Sequence, residues 1–214
     1  MTTTMLVLAN SYKMKRRCLA GLDESNNWVR AVENPGGLGI ESTRLWIGGE
    51  QVQPGDSIRL GLGLGVPLRH QSENVLLINS EISRAEPLTS VELEQRLEYI
   101  HAQLPAFAIV PRTFVDETEY DAGVVGQSLA LLFTENLVMS WETNSSGVLR
   151  PRAIFMTEQG GWNLPYTGEQ WAGFPDRTAG SRMQFGPCFV TISVGELMPD
   201  STRHYILAAG VIAQ

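Results

Sequence analysis

Met5-Leu-Val-Leu-Ala9, Cys18-Leu-Ala-Gly-Leu22 and Trp28-Val-Arg-Ala-Val32 are three short β-prone runs separated by polar loops. Runs this short and this closely spaced predict a meander of strands paired antiparallel. Further along, Gln53-Pro-Gly-Asp56 is a turn signal, and Ser57-Ile-Arg-Leu60 after it alternates as a half-buried strand does. Strands are also expected at 75–79, 106–110, 128–133, 137–141, 152–156, 188–194 and 205–213. One helix interrupts them. Thr89 and Glu92 form a capping box, Val91, Leu93, Leu97 and Ile100 make an apolar stripe, and Pro105 follows, so the helix is expected over 90–101.

Strands on both sides of a single helix fit two small β-barrels better than a parallel sheet, which needs a crossover helix between most strands. The predicted class is therefore all-β, with one central helix and two antiparallel barrels in tandem. The domains are expected at 1–112, which includes the helix, and 113–214. The charged stretch Asp116-Glu-Thr-Glu-Tyr-Asp121 reads as a solvated connection.

Apolar residues make up 43% of the 214 and charged residues 18%, so the chain can fill a core and is too weakly charged for a disordered polymer. No apolar run is long enough for a membrane span or a signal peptide, which predicts a cytoplasmic protein without membrane association. Cys18 and Cys188 sit in apolar runs and are expected to be buried, inert thiols. The histidines His70, His101 and His204 have no metal-ligand spacing, so neither a metal nor another cofactor is expected. The net charge of −7 argues against a general phosphate-backbone binder. Its distribution is uneven. Residues 1–44 hold six Lys or Arg against four acids, a balance of +2, which leaves ten against nineteen, or −9, in 45–214.

Leu8-Ala-Asn-Ser11, Arg17-Cys-Leu-Ala-Gly21 and Trp28-Val-Arg30, in that order, resemble the opening signature of the dual OB-domain family. His70-Gln-Ser-Glu-Asn74 is similar to that family's HQ-x-EN segment, and the helix falls where the family has its own. The likeness continues through 149–155, Asn163-Leu-Pro-Tyr-Thr167, 188–195 and 204–212, and so covers essentially the whole chain. Tyr12, Ala31 and Gly168 depart from the pattern, standing where the family tends to have a basic residue, proline and an acid. The resemblance implies two OB-like barrels, binding of single-stranded nucleic acid or a nucleotide, and a place beside prokaryotic defence genes.

An OB barrel lays bases on exposed aromatic side chains while cations track the backbone. Trp28 and Arg30 are two apart on one strand and share a face, and Lys13, Lys15, Arg16 and Arg17 lie on the loop leading into its neighbour. Lys13, Arg16, Arg17, Trp28 and Arg30, together with Ser11 and with His70, Gln71, Glu73 and Asn74, make the expected ligand-binding set. Glu73 is the one acid among those four, so it is expected to hold an arginine. Three other features rank lower: Gly61-Leu-Gly-Leu-Gly65 lacks the spacing of a nucleotide loop, Arg150 and Arg152 could extend a binding track, and the aromatics Trp162, Tyr166, Trp171 and Phe174 read as loop packing. No nucleophile or metal set accompanies His70 and Glu73, so no enzyme is expected. The rival to nucleic-acid binding is a protein-interaction adaptor or inhibitor that recruits a defence effector.

Overall fold

Strand β1 (Thr2–Lys13) is apolar on both faces between Met5 and Ala9, and therefore needs cover on both. Its first half pairs with β4 (Ser57–Gly65) and its second half with β2 (Arg16–Leu22). Strand β2 pairs with β3 (Trp28–Val32), and β4 pairs with β5 (Asn74–Leu77). The ring closes where β3 meets β5 in parallel, Arg30 opposite Asn74 and Ala31 opposite Val75. The circular order is thus 1-2-3-5-4-1, the five-stranded Greek-key barrel of the OB fold, with one parallel seam among antiparallel ones. Met5, Val7, Leu19, Val29, Ala31, Ile58 and Leu60 fill it. The computed structural model describes residues 2–13, 15–78, 81–123, 125–144, 146–168, 178–197 and 201–214. Asn79, Trp171, Phe174 and the side chain of Lys13 lie outside the described residues.

Helix α1 (Ser90–His101) starts at the expected box, with Glu92 N–H donating to Thr89 Oγ1 at 3.3 Å and Thr89 N–H to Glu92 Oε2 at 2.9 Å. After it come β6 (Phe114–Asp116), helix α2 (Glu117–Asp121), β7 (Leu129–Thr134), β8 (Leu137–Thr143), β9 (Leu149–Thr157), β10 (Gly160–Pro165), β11 (Arg182–Phe185), β12 (Cys188–Leu197) and β13 (Arg203–Ala213). Strands β7 and β8 are one bent strand, and β11 and β12 are its bent partner. The ladder runs on across both bends, Thr134 opposite Cys188 and Leu137 opposite Phe185. With β9, β10 and β13 added, the order of the first barrel returns, but the parallel seam shrinks to a single bridge between Tyr166 and Ala208. The second half is a curled half-barrel, and its core also draws on Leu104, Phe107 and Ala108.

The barrels are joined through the outer face of β1, β2 and β3. Leu6, Leu8 and Leu22 pack with Leu97 and Ile100 of α1 and with Leu131, Phe189 and Ile212 of the second half, while Ala9 and Ala20 meet Leu129 and Ala209. A bulge between Val7 and Ala9 disturbs the β1–β2 ladder at Leu8, whose carbonyl accepts from Thr191 Oγ1 at 2.8 Å. Gly210 makes this approach possible, since a Cβ there would overlap the same carbonyl. The segment Tyr166-Thr-Gly168 stitches both sides. Thr167 N–H donates to Ala208 O at 2.9 Å, and Tyr12 N–H donates to Thr167 O at 2.9 Å.

Three local expectations are corrected. Residues 106–110 are no strand: Pro105 leads into a 3-10 turn over Ala106–Ala108, which drops Phe107 and Ala108 into the second core. The stretch 116–121 is no open connection, because Glu119 accepts from the Asp116 N–H at 3.1 Å, winding α2 and burying Tyr120. Among the described residues there are thus two α-helices rather than one. Cys18 is half-buried rather than buried, while burial pushes the Cys188 thiol up to about 12; both are free thiols. Among the described residues no helix is long and apolar enough to cross a membrane.

Candidate nucleic-acid interface

Arg30 lies on the β3 face that looks away from the first core, and that face is covered by the second barrel. The residue is 5% exposed. Nε and Nη2 donate to Glu73 Oε1 at 3.1 and 3.0 Å, and Nη2 also reaches Ser128 Oγ at 2.8 Å and Ser193 Oγ at 3.2 Å. Ser128 Oγ in turn donates to Glu73 Oε1. Glu73 therefore holds an arginine, and two serines from the other barrel complete the shell. A buried pair survives desolvation only when its remaining lone pairs and protons are satisfied, and here they are supplied across the junction. The group is a polar brace between the barrels.

Residues 70–74 form the turn that delivers Glu73. Leu68 and Gln71 exchange backbone bonds at 3.1 and 3.0 Å, and Asn74 Nδ2 donates to Gln71 Oε1 at 3.4 Å. Gly37, at φ 77°, lies over this turn, where a Cβ would press on Leu68 Cδ1 at 2.8 Å. Gln71 and Asn74 are buried. The half-buried His70 ring stands 5.1 Å from His204, which is 5.0 Å from Tyr120; burial pushes the Tyr120 hydroxyl up. His204 Nδ1 is bonded to Gly195 O at 2.9 Å, and with His70 from the first half against it this cluster too spans the two halves. Outside it, Arg69 pairs with Glu117 at 2.8 Å and with Asp121.

The basic loop is used internally. Arg16 donates to Glu33 Oε2 at 2.5 Å and Gly39 O at 3.1 Å, and Arg17, buried, donates to Ser42 Oγ at 3.2 Å with its guanidinium over the Tyr12 ring. Burial alone would raise the Glu33 pKa, but the Glu41 N–H, Arg44 and Arg16 outweigh it and hold the carboxyl below its ordinary 4.5. Ser11 is buried and bridged to Gly168. Lys15 is exposed. The fold thus gathers Trp28, Arg30 and Glu73 at the junction, with Gln71 and Asn74 behind them, and leaves Arg16 and Arg17 near the opposite end of β2.

A family model, the dual OB-containing domain, matches residues 3–211. The chain belongs to that family. Among solved structures, the crystal structure of the tetrameric p202 HIN2 is similar at 10% identity over 100% of this chain and 91% of that one, with a TM-score of 0.32. No curated protein matches the chain. Among the described residues no three His, Cys, Asp or Glu side chains gather as a metal site would require.

Within this dual OB chain, the face equivalent to the covered one is solvent-exposed on the second barrel at several described residues and closed at Ser140, which is buried. Even-numbered residues of β8 and β9 point away from the core there. One row across the sheet places Arg182, Ser140, Arg152 and Pro165 side by side, and the next places Gln184, Val138, Ile154 and Asn163. Arg150, Arg182, Gln184 and Asn163 are exposed, and Met156, further along β9, is 65% exposed. Arg152 is steadied by Asn163, Nε to Oδ1 at 2.6 Å, and by Glu142 at 3.5 Å. Arg150 and Arg152 were legible in the sequence. Arg182 and Asn163 were not gathered with them, because only the ladder through β8 and β10 brings four separate strands into one row.

Proposed function

We propose that this dual OB chain is a non-catalytic binding module that takes single-stranded nucleic acid along the open face of β8, β9, β10 and β11, in the cytoplasm and in the service of a prokaryotic defence system. The observation that carries the reading is the group of side chains on that face that reach solvent, with Arg150 and Arg182 exposed and Arg152 half-buried among Asn163, Gln184 and a few apolar side chains. OB barrels read oligonucleotides on the face of strands 2 and 3, and β9 and β10 hold those positions in the second barrel's circuit. The arginines supply charge for the phosphates, and the amides and apolar side chains supply contacts for the bases. The chain as a whole carries a net charge of −7, so affinity is modest and salt-sensitive.

The test is fluorescence anisotropy with a labelled single-stranded oligothymidylate at several salt concentrations. Arg150→Glu with Arg182→Glu is expected to weaken binding about tenfold or more and to flatten the salt slope by about 0.7 for each phosphate no longer neutralised. Binding that ignores salt, or that is untouched by the double substitution, would show that this face is not the reading surface.

A further inference from the structure

In the first barrel the fourth strand of the circuit, β4, has two neighbours along one edge. Its second half pairs with β5, Leu62 opposite Leu77, and its first half with the two-residue strand Ser83–Arg84, Ile58 opposite Arg84 and Arg59 opposite Ser83. Ala85 N–H extends that pairing to Ser57 O at 2.9 Å. The added strand brings its side chains into use: Ile82, 9% exposed, joins the first core, and Arg84 lies on Asp56 at 2.6 Å.

Strands β11 and β12 hold the fourth position in the second circuit. Strand β12 pairs with β13 as far as Cys188 opposite Ala213, and Gln214 N–H reaches Pro187 O at 3.1 Å. Along β11 itself, no strand among the described residues pairs with the outer edge. One bond fixes which main-chain groups lie there. Trp141 N–H donates to Ser181 O at 3.1 Å, and residues of an antiparallel pair alternate, so Met183 and Phe185 turn their main-chain groups to β8 while Arg182 and Gln184 turn theirs outward. A row of outward N–H and C=O groups on an edge is a template for another strand. The side chains alternate too. Arg182 and Gln184 are exposed, whereas Met183 and Phe185 are half-buried against the second core.

We propose that the outer edge of β11 takes an extended segment of a partner protein, which adds an antiparallel strand to the sheet as Ser83–Arg84 does in the first barrel. The pleat sets its composition. Residues beside Met183 and Phe185 point toward the core and are apolar, and those beside Arg182 and Gln184 point outward, with an acid paired to the arginine. An alternating apolar and acidic strand is therefore the partner that fits. A second copy of the same edge, Arg182-Met-Gln-Phe185, has no acid to offer Arg182. The assignment goes beyond the nucleic-acid reading: Arg182 and Gln184 are common to both, but here the main chain of an edge does the binding rather than the side chains of a face.

Fluorescence anisotropy of the full chain with a short labelled peptide of alternating valine and glutamate tests it. The peptide is expected to saturate one site. Its lysine counterpart, and the same peptide N-methylated at the glutamates, whose amides face β11, are expected to bind at least about tenfold more weakly. Gln184→Pro deletes one outward N–H and leaves the β8 ladder intact, so affinity is expected to fall about tenfold at an unchanged melting temperature. Arg182→Glu is expected to turn the preference toward the lysine peptide. Arg150→Glu is expected to weaken oligothymidylate binding and leave peptide binding unchanged, so the two proposals stand or fall separately. Absence of saturation, equal binding of the glutamate and lysine peptides, or full affinity of the N-methylated peptide would overturn the assignment. A dimer in analytical ultracentrifugation that Gln184→Pro dissolves would overturn it too, by giving the edge to a second copy of the chain.

Discussion

On the first barrel the outward side chains of β1, β2 and β3 include Leu6, Leu8, Ala20, Leu22, Trp28 and Arg30, and α1 and the second barrel cover them. On the second barrel the corresponding side chains of β8, β9 and β10 include Val138, Arg150, Arg152, Ile154 and Asn163, and they meet solvent in whole or in part. One copy of the face has become an interface and the other remains a surface. The difference is local chemistry on a shared topology: leucine and alanine gain by leaving water, whereas Arg152 is already bonded to Asn163 within its own sheet.

The covered face can be broken most severely at its brace. Arg30→Met leaves Glu73 buried without its cation, and urea denaturation is expected to show a loss of about 3–5 kcal/mol, with Arg30→Met plus Glu73→Leu recovering most of it. Full stability in the single variant would mean that the junction is wetter than its burial indicates. A matched pair of glycines sharpens the contrast. Gly210→Ala forces a methyl against the Leu8 carbonyl and is expected to cost about 1–3 kcal/mol. Gly161→Ala, on the open face, meets only the flexible thioether of Met156 at 3.1 Å and is expected to stay within about 0.5 kcal/mol of wild type. Equal thermal shifts for the two would erase the distinction between the faces.

The smallest effect belongs to the basic loop. The Glu33 carboxyl is held below its ordinary 4.5, so the charged form is favoured in the folded state, and its stabilisation is present above that value and lost as pH falls through the folded pKa. Glu33→Gln is expected to lower stability by about 1 kcal/mol or less at neutral pH, with the gap to wild type closing in acid. A gap that persists well below pH 4.5 would mean that Glu33 acts by packing rather than by charge.

Much of the architecture was legible along the chain. The capping box at Thr89, the turn at Gln53-Pro-Gly-Asp56 and the short apolar runs carry local signals of the elements they form. The site was less so. Trp28 and Arg30 do share a face, but alternation cannot say whether that face meets water or another barrel. A usable hint was present in Met5-Leu-Val-Leu-Ala9 and Leu129-Ala-Leu-Leu-Phe133, where apolar residues follow one another without alternation, as they do in strands buried on both faces. Ser128 and Ser193 carried no comparable signal, because each lies beside an apolar run and gains its role only from what stands opposite.

The sequence by itself determined the all-β class, the capped helix, the acidic balance with its basic N-terminal exception, and membership of the dual OB-containing domain family. These follow from neighbours along the chain or from motifs short enough to read directly. Only the tertiary structure decided that Glu73 takes Arg30 and not Arg17, that Arg16 and Arg17 are engaged beside β2, and that Arg150, Arg182 and Asn163 of the second barrel's sheet face reach solvent. Each of those outcomes depends on residues far apart in sequence, 98 and 163 positions for the two serines on Arg30. Burial, which decides whether a charge is braced or offered to a ligand, is a property of the packed barrels and not of either strand alone.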